Sequence, residues 1–171
     1  MNWQSVIASS AIMGLGFVLV PGSAISQGKS LKEQLVGTWE GVSIVLTRSD
    51  GTKIHPFGEK LNGSLIFTAD GHSVVLLTRS DLPKIAANNR LGVTPDEAQA
   101  AYRGSYGYFG PYTVNEAEKS FTTKVLGSTY PNEVGANTKR VVTSISADEL
   151  KFTNAAGAGG GSVEATFRHA K

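Results

Sequence analysis

Three tyrosines, Tyr106, Tyr108 and Tyr112, are spaced at multiples of two residues, with Gly110 between the last two. Side chains two residues apart in a β-strand point to the same face of a sheet, so these tyrosines would share one face. A buried tyrosine combines an apolar ring with a hydroxyl that needs a partner, which suits a pocket for an aromatic or oxygenated apolar molecule. Gly110 would leave room beside Tyr108. Ordinary cross-strand aromatic packing is the alternative.

Two further side chains could contribute chemistry to such a pocket. Arg140 interrupts a strand rich in valine, threonine and isoleucine, and a guanidinium inside the fold could hold a carboxylate or enolate oxygen. His55 precedes the turn sequence Pro56-Phe57-Gly58, where an imidazole could act as a general acid or base, or could simply hydrogen-bond the turn. His55, Tyr108 and Arg140 are therefore the candidate catalytic residues. If Arg140 points outward, it is an ordinary surface residue.

Several functional classes have no support in the sequence. The histidines, His55, His72 and His169, are widely separated and form no His-x-His or His-Glu-x-x-His arrangement, so no metal site is predicted. There is no Gly-x-Ser-x-Gly elbow of a serine hydrolase and no cofactor-binding motif, so no cofactor is predicted. The net charge of +2 is spread along the chain without a basic block, which argues against nucleic-acid binding.

Alternating or β-branched and aromatic residues predict eight strands, at residues 36–46, 63–68, 73–78, 106–114, 121–126, 140–145, 150–153 and 163–167. Eight short strands with tight links favour an all-β, antiparallel up-and-down barrel, which encloses room for side chains or one small ligand. Thr94-Pro95-Asp96-Glu97 predicts one short helix from about Pro95 to Arg103, with Ala98, Ala101 and Tyr102 facing inward.

The first strand bears on whether the barrel is hollow. If Trp39 points inward, the period of two sends Gly41, Ser43 and Val45 inward as well, and small residues there would leave space. The predicted ligand-binding residues are Tyr106, Tyr108, Tyr112, Tyr130, Asn132, Arg140 and Ser43.

Several motifs resemble a known family. Leu35-Val36-Gly37-Thr38-Trp39 is similar to the Gly-x-Trp signature that opens the first strand of lipocalins. The chain also resembles the bacterial and fungal lipocalin-like domain family in blocks that run from Leu35 to Arg168: Asp50-Gly51, His55 to Gly58, Gly63 to His72, Thr94 to Glu97, Tyr108 to Tyr112, Tyr130 to Asn132 with Gly135, and Arg140.

The resemblance implies a lipocalin-type barrel in which Trp39 plugs the closed end and Arg168 packs across it through a cation–π contact. Most members of this family have no assigned activity, so the resemblance informs the fold more than the function. Members often carry a histidine pair where this chain has Thr123-Lys124, and a second aromatic residue where it has Glu133. Any role of those positions in relatives would be altered here.

Residues 1–26 have the layout of a secretory signal peptide: no charged side chain, a mainly apolar stretch from Val6 to Val20, then Pro21-Gly22 and small residues. Cleavage after Ala24 or after Ser26 fits equally well. An uncleaved anchor is the alternative, but the apolar stretch is shorter than the roughly 20 residues that span a bilayer. The absence of cysteine excludes disulfides and a lipid-modified cysteine.

Removal of the signal would leave a single domain, residues 27–171, with no membrane span, in the periplasm or secreted, as a monomer or a weak homo-oligomer. The sequence predicts that it binds a small apolar, aromatic or amphipathic molecule, such as a lipid, in the barrel interior. The alternative is a cofactor-free isomerase, cyclase or hydro-lyase that uses a Tyr/His/Arg set in the cavity. A third possibility is a structural or protein-interaction barrel with a filled core.

Overall fold

A computed structural model describes residues 28–171, so the predicted signal peptide lies outside the described residues. The elements in chain order are α1 (Leu31–Leu35), β1 (Gly37–Thr47), β2 (Lys53–Ile54), β3 (Leu61–Phe67), β4 (His72–Arg79), α2 (Pro95–Arg103), β5 (Ser105–Asn115), β6 (Ser120–Lys124), β7 (Gly127–Ser128), a 3₁₀ turn (Pro131–Glu133), β8 (Asn137–Ile145), β9 (Glu149–Gly157) and β10 (Gly161–His169).

Eight long strands close into an antiparallel barrel. Hydrogen-bonded neighbours follow the order β10-β9-β8-β6-β5-β4-β3-β1, and β1 pairs with β10 to complete the ring. The short strands β2 and β7 pair with β1 and β5. The predicted all-β class, the eight strands and the short helix are confirmed. None of the described helices is long and apolar enough to cross a membrane.

Helix α1, which the sequence analysis did not predict, covers one end of the barrel. Ser30 and Glu33 form a capping box, a pattern that was visible in the sequence. The carboxylate of Glu116, in the β5–β6 turn, accepts hydrogen bonds from the backbone of Leu31 (2.8 Å) and Lys32 (3.2 Å). Leu31 and Leu35 are buried. We call this the closed end.

Trp39 plugs the closed end, but its partner is His169. Trp39 is 1% exposed, donates its indole N–H to the Leu35 carbonyl (2.8 Å) and meets the His169 ring edge-to-face with centroids 4.8 Å apart. The register pairs Trp39 with His169 and Glu40 with Arg168. Arg168 therefore points outward, has a side chain that is 71% exposed, and forms an ion pair with Glu40 (2.8 Å). The expectation that Arg168 stacks on Trp39 is wrong by one residue.

A β-bulge changes the inward face of β1 halfway along the strand. The pairing of β1 with β10 shifts between Gly41 and Ser43. Such a bulge inserts one extra residue and reverses the alternation beyond it. Ile44 and Leu46 are accordingly buried, and the prediction that Ser43 and Val45 face inward is wrong.

Aromatic rings fill the half of the barrel that lies next to the plug. The Phe67 ring meets Tyr112 and Phe121 edge-to-face, each with centroids 5.0 Å apart. Phe152 meets Phe121 edge-to-face at 5.3 Å and stacks on Phe167 at 5.6 Å. The other half of the interior, where the long connections between strands meet, is less completely filled and contains a cavity.

Helix α2 lies at this open end, in the connection between β4 and β5. Thr94 and Glu97 form the predicted capping box, and Pro95 occupies the first turn. The predicted helix is confirmed. None of its residues is buried, however, and Ala98 and Tyr102 are exposed while Ala101 is half-buried, so the expectation that all three face inward is wrong. Its last turn borders the barrel mouth instead.

Candidate ligand cavity

A cavity of about 420 Å³ occupies the half of the barrel toward the open end. This volume lies within the ~300–1,000 Å³ range of small-molecule sites. Its floor is the Phe152–Phe167 pair, and its walls are mainly apolar side chains from six strands: Ile44, Leu46, Leu65, Val75, Leu77, Val163 and Ala165, with Tyr106, Tyr108 and Arg140.

The mouth of the cavity is built from loops and the end of α2. Four segments border it: the turn before β3 (Pro56 and Phe57), the end of α2 (Tyr102 and Arg103), the residues after β7 (Thr129 and Tyr130), and the β9–β10 hairpin (Gly157 to Gly159). Phe57 is buried, whereas Tyr102 is largely exposed.

Arg140 and Tyr108 meet on the wall of the cavity, and both are 5% exposed. The guanidinium carbon lies 5.1 Å from the centroid of the Tyr108 ring, a cation–π contact. Nη1 of Arg140 is buried and has no hydrogen-bond partner among residues 28–171. None of the salt bridges formed by these residues includes Arg140. The cavity wall therefore carries a buried positive charge without a counter-ion from the described chain.

Tyr106 joins this wall to the 3₁₀ turn. Its hydroxyl donates a hydrogen bond to the Glu133 carboxylate (2.5 Å), which also accepts one from the Ser128 hydroxyl (3.4 Å). In the sequence, Glu133 is recognisable only as a departure from the family pattern, and its contact with Tyr106 is not predicted. Burial, followed by the hydrogen bond from Tyr106 to Glu133, raises the pKa of the Tyr106 hydroxyl.

Burial also raises the pKa of the Tyr108 hydroxyl, and the positive charge of Arg140 opposes that rise. Tyrosine already titrates near pH 10 in the absence of perturbation. Both Tyr106 and Tyr108 therefore keep their protons at neutral pH. They offer hydrogen-bond donors and ring faces to the cavity, rather than a base.

The structure brings together four of the seven predicted ligand-binding residues, Tyr106, Tyr108, Tyr130 and Arg140, at the cavity. The other three lie outside it. Tyr112 is nearer the closed end, where it packs on Phe67 and donates to the Thr68 carbonyl (3.1 Å). Ser43 follows the bulge and faces away from the interior. Asn132 is exposed on the 3₁₀ turn.

Gly110 does not provide the expected space beside Tyr108. A Cβ added there would overlap the carbonyl oxygen of Lys124, because the backbone that follows β6 crosses close to β5 at this position. Gly110 thus permits close packing of two backbone segments. Tyr108 and Arg140 border the unfilled volume, whereas Gly110 does not.

His55 lies outside the cavity. Its carbonyl accepts a hydrogen bond from the Gly58 amide (3.0 Å), and its Nε2 lies 3.8 Å from a carboxylate oxygen of the exposed Glu59. Of the candidate catalytic residues, Tyr108 and Arg140 are together and His55 is apart from them. Within residues 28–171, no cluster of three or more His, Cys, Asp or Glu side chains is arranged to hold a metal ion.

Several solved structures share similarity with this chain. A lipocalin-like protein from Bacteroides uniformis is 14% identical, with a TM-score of 0.44 over 80% of this chain and 99% of that chain. A redesigned β-barrel is 13% identical, with a TM-score of 0.44 over 83% and 96% of the two chains. A de novo designed fluorescence-activating β-barrel is 15% identical, with a TM-score of 0.44 over 84% and 100%.

No curated protein matches the sequence. The model of the lipocalin-like domain matches residues 36–170, which covers the barrel from before β1 to just beyond β10. The chain therefore belongs to the lipocalin-like domain family.

Proposed function

We propose that this protein binds one small apolar or amphipathic molecule inside the barrel. The observation that carries the proposal is the unfilled half of the interior, about 420 Å³ with mainly apolar walls. An unfilled apolar volume forgoes packing contacts. A barrel with a purely structural role would gain stability if larger side chains filled this space, whereas a binding protein needs it empty.

Binding of N-phenyl-1-naphthylamine, a neutral apolar fluorophore, tests this proposal directly. Ala165 lies on the cavity wall, so Ala165→Phe should fill part of the volume and weaken binding of the fluorophore by at least about tenfold, which corresponds to 1.4 kcal/mol. Ala147, in the exposed β8–β9 turn, provides the matched control, and Ala147→Phe should bind like the unmodified protein. Failure of the unmodified protein to bind apolar probes, or equal binding by both variants, would refute the proposal.

Native mass spectrometry of the protein purified from its own host would complement the fluorophore. We expect a mass increase that corresponds to one small molecule and disappears after the protein is unfolded. The mass difference would give the mass of the natural ligand.

We further propose that the protein acts outside the cytoplasmic membrane. The uncharged, largely apolar residues 1–26, with small residues at Ala24 and Ser26, support export. N-terminal sequencing of the protein from fractionated cells should find a chain that begins at Ile25 or Gln27 in the periplasm or the medium. An intact chain that begins at Met1 in the cytoplasm would contradict export.

Catalysis is the second candidate function, and the contact between Tyr108 and Arg140 favours it. A neutral phenol beside a cation could donate a proton or a hydrogen bond to a developing oxyanion. His55 is outside the cavity, and Tyr106 and Tyr108 are both protonated, so the described site offers an acid without an evident base. Loss of turnover in Tyr108→Phe with ligand binding retained would establish catalysis. Unchanged turnover in that variant would exclude this acid.

A further inference from the structure

We propose that the ligand is an apolar molecule with a single carboxylate, and that Arg140 binds this carboxylate inside the cavity. This inference rests on the proposed binding function and names the chemical class of its ligand. Its basis is the guanidinium of Arg140, which is 5% exposed, lines the cavity, and has a buried Nη1 without a partner.

A buried guanidinium needs an anion. It carries its charge throughout the physiological pH range, and a buried charge is costly unless it is paired. The Tyr108 ring, 5.1 Å from the guanidinium carbon, is the aromatic face that partly compensates it. The described part of the chain supplies no carboxylate in a salt bridge with it. A carboxylate from the ligand would match the planar, forked geometry of the guanidinium donors.

The surroundings favour one negative charge over two. The carboxylate of Glu133 accepts a hydrogen bond from Tyr106 (2.5 Å), and the Tyr106 ring lies 5.6 Å from the ring of Tyr108, which Arg140 contacts. A phosphate with two charges at Arg140 would meet repulsion from Glu133. Arg103, which borders the mouth, is exposed to water and needs no counter-ion. Arg140 is therefore the position in the cavity where a single negative charge is stabilised most.

The cavity also orients the ligand. Arg140 and Tyr108 lie within the lengths of β8 and β5, whereas Leu46 and Phe57 lie at the open end of the barrel. The space between them is walled mainly by apolar side chains, which stabilise an apolar body through its removal from water. The carboxylate would therefore bind at Arg140 beside Tyr108, and the apolar body would lie against the apolar wall.

Dodecanoate and dodecanol form a matched pair of probes, because they share an alkyl chain and differ in the charged group. Competition of each against N-phenyl-1-naphthylamine, at concentrations below micelle formation, measures both affinities on the same site. We expect the unmodified protein to bind dodecanoate at least about tenfold more tightly than dodecanol, since hydrogen bonds to charged groups are the stronger kind.

Arg140→Met should abolish this preference, because methionine offers no charged donor to the carboxylate while its apolar side chain adapts to irregular space. Arg79→Met is the matched control, since Arg79 is on the surface and pairs with Asp81 (2.7 Å), and it should keep the preference. An Arg140→Met variant that still prefers dodecanoate, or an unmodified protein that binds both probes equally, would overturn the inference.

The two proposals can fail separately. If the fluorophore and dodecanol bind but dodecanoate has no advantage, the binding function stands and the carboxylate inference fails. If no probe binds to the unmodified protein, both fail.

A carboxyl-labelled probe gives a reading that does not depend on a variant. The ¹³C chemical shift of the labelled dodecanoate carboxyl reports its ionisation during a pH titration. Binding to Arg140 should lower the pKa of the bound carboxyl by about one unit or more relative to the free acid. A bound carboxyl whose pKa equals or exceeds that of the free acid would refute the contact with Arg140.

Discussion

Replacement of Arg140 by methionine should stabilise the ligand-free protein. Arg140 is buried in an apolar wall, and its charge has a cation–π contact with Tyr108 but no salt bridge among residues 28–171. Substitution of a buried ion by an apolar side chain of similar length is often neutral or stabilising. The substitution leaves no described carboxylate unpaired, so the usual penalty for breaking a buried ion pair does not arise.

The size of the effect follows from two opposing contributions. Burial of one ion costs several kcal/mol after the protein relaxes. The cation–π contact returns up to about 2 kcal/mol when it is shielded from water. Arg140→Met should therefore raise the free energy of unfolding by about 1–3 kcal/mol. For a domain of this size, that corresponds to a rise in Tm of about 3–10 °C.

Urea unfolding and calorimetry would measure this change, on protein first unfolded and refolded to release any bound molecule. Arg79→Met is the control for loss of a surface charge, and its free energy of unfolding should change by less than about 1 kcal/mol. Destabilisation of Arg140→Met by 1 kcal/mol or more relative to this control would refute the reasoning. It would mean that the guanidinium is already satisfied in the ligand-free barrel.

Three further substitutions test the barrel and its cavity wall. The free energy of unfolding should fall above about pH 10, because tyrosines in the unfolded chain then lose protons that Tyr108, with its raised pKa, retains. In Tyr108→Phe the mean slope measured by urea unfolding between pH 9 and 11 should be shallower by about 0.7 kcal/mol per pH unit, since the unfolded tyrosine is half deprotonated near pH 10. An unchanged slope would refute this effect. His169→Ala should lower the free energy of unfolding by about 1–2 kcal/mol, measured by thermal unfolding, since it removes the edge-to-face contact with Trp39. Arg168→Ala should lower it by less than about 1 kcal/mol, because its ion pair is exposed, and equal losses would contradict the register. Gly110→Ala should lower the free energy of unfolding by about 3 kcal/mol or more, because its Cβ would overlap a neighbouring backbone carbonyl. Gly28→Ala is the control, since a Cβ there meets open space, and equal stability of the two variants would disprove the crowding at Gly110.

The strands could be predicted because the side chains of a half-buried strand alternate, and this alternation is a local property of the sequence. The same alternation could also have identified the second residue of the plug. Phe167 is an inward residue of β10, and two residues further along the chain is His169 rather than Arg168. Helix α1 was likewise visible in the capping box of Ser30 and Glu33, but it is only five residues long.

The depth at which the barrel is hollow could not be read from the sequence. Tyr108 and Tyr112 share one strand face, yet Tyr108 lines the cavity while Tyr112 packs on Phe67. The difference arises from the Phe67 ring of β3, which meets both Tyr112 and the Phe121 ring of β6 and so fills the interior at this level. These contacts join residues far apart in the sequence. Arg140 was identifiable because a charged residue in an apolar strand is unusual, whereas its lack of a partner depends on all the surrounding strands.

The bulge in β1 determines the chemistry of the cavity as well as its shape. Without the shift between Gly41 and Ser43, the hydroxyl of Ser43 would face the interior and offer a second polar group to a ligand. With the shift, Ile44 and Leu46 form that wall, and the charge of Arg140 faces apolar side chains across the cavity. If the proposed binding function holds, an apolar wall opposite one unpaired cation would select for a molecule that is apolar over most of its surface and anionic at one end. The proposed ligand class would then depend on one inserted residue, whose position is set by the pairing of β1 with β10 and not by the local sequence pattern.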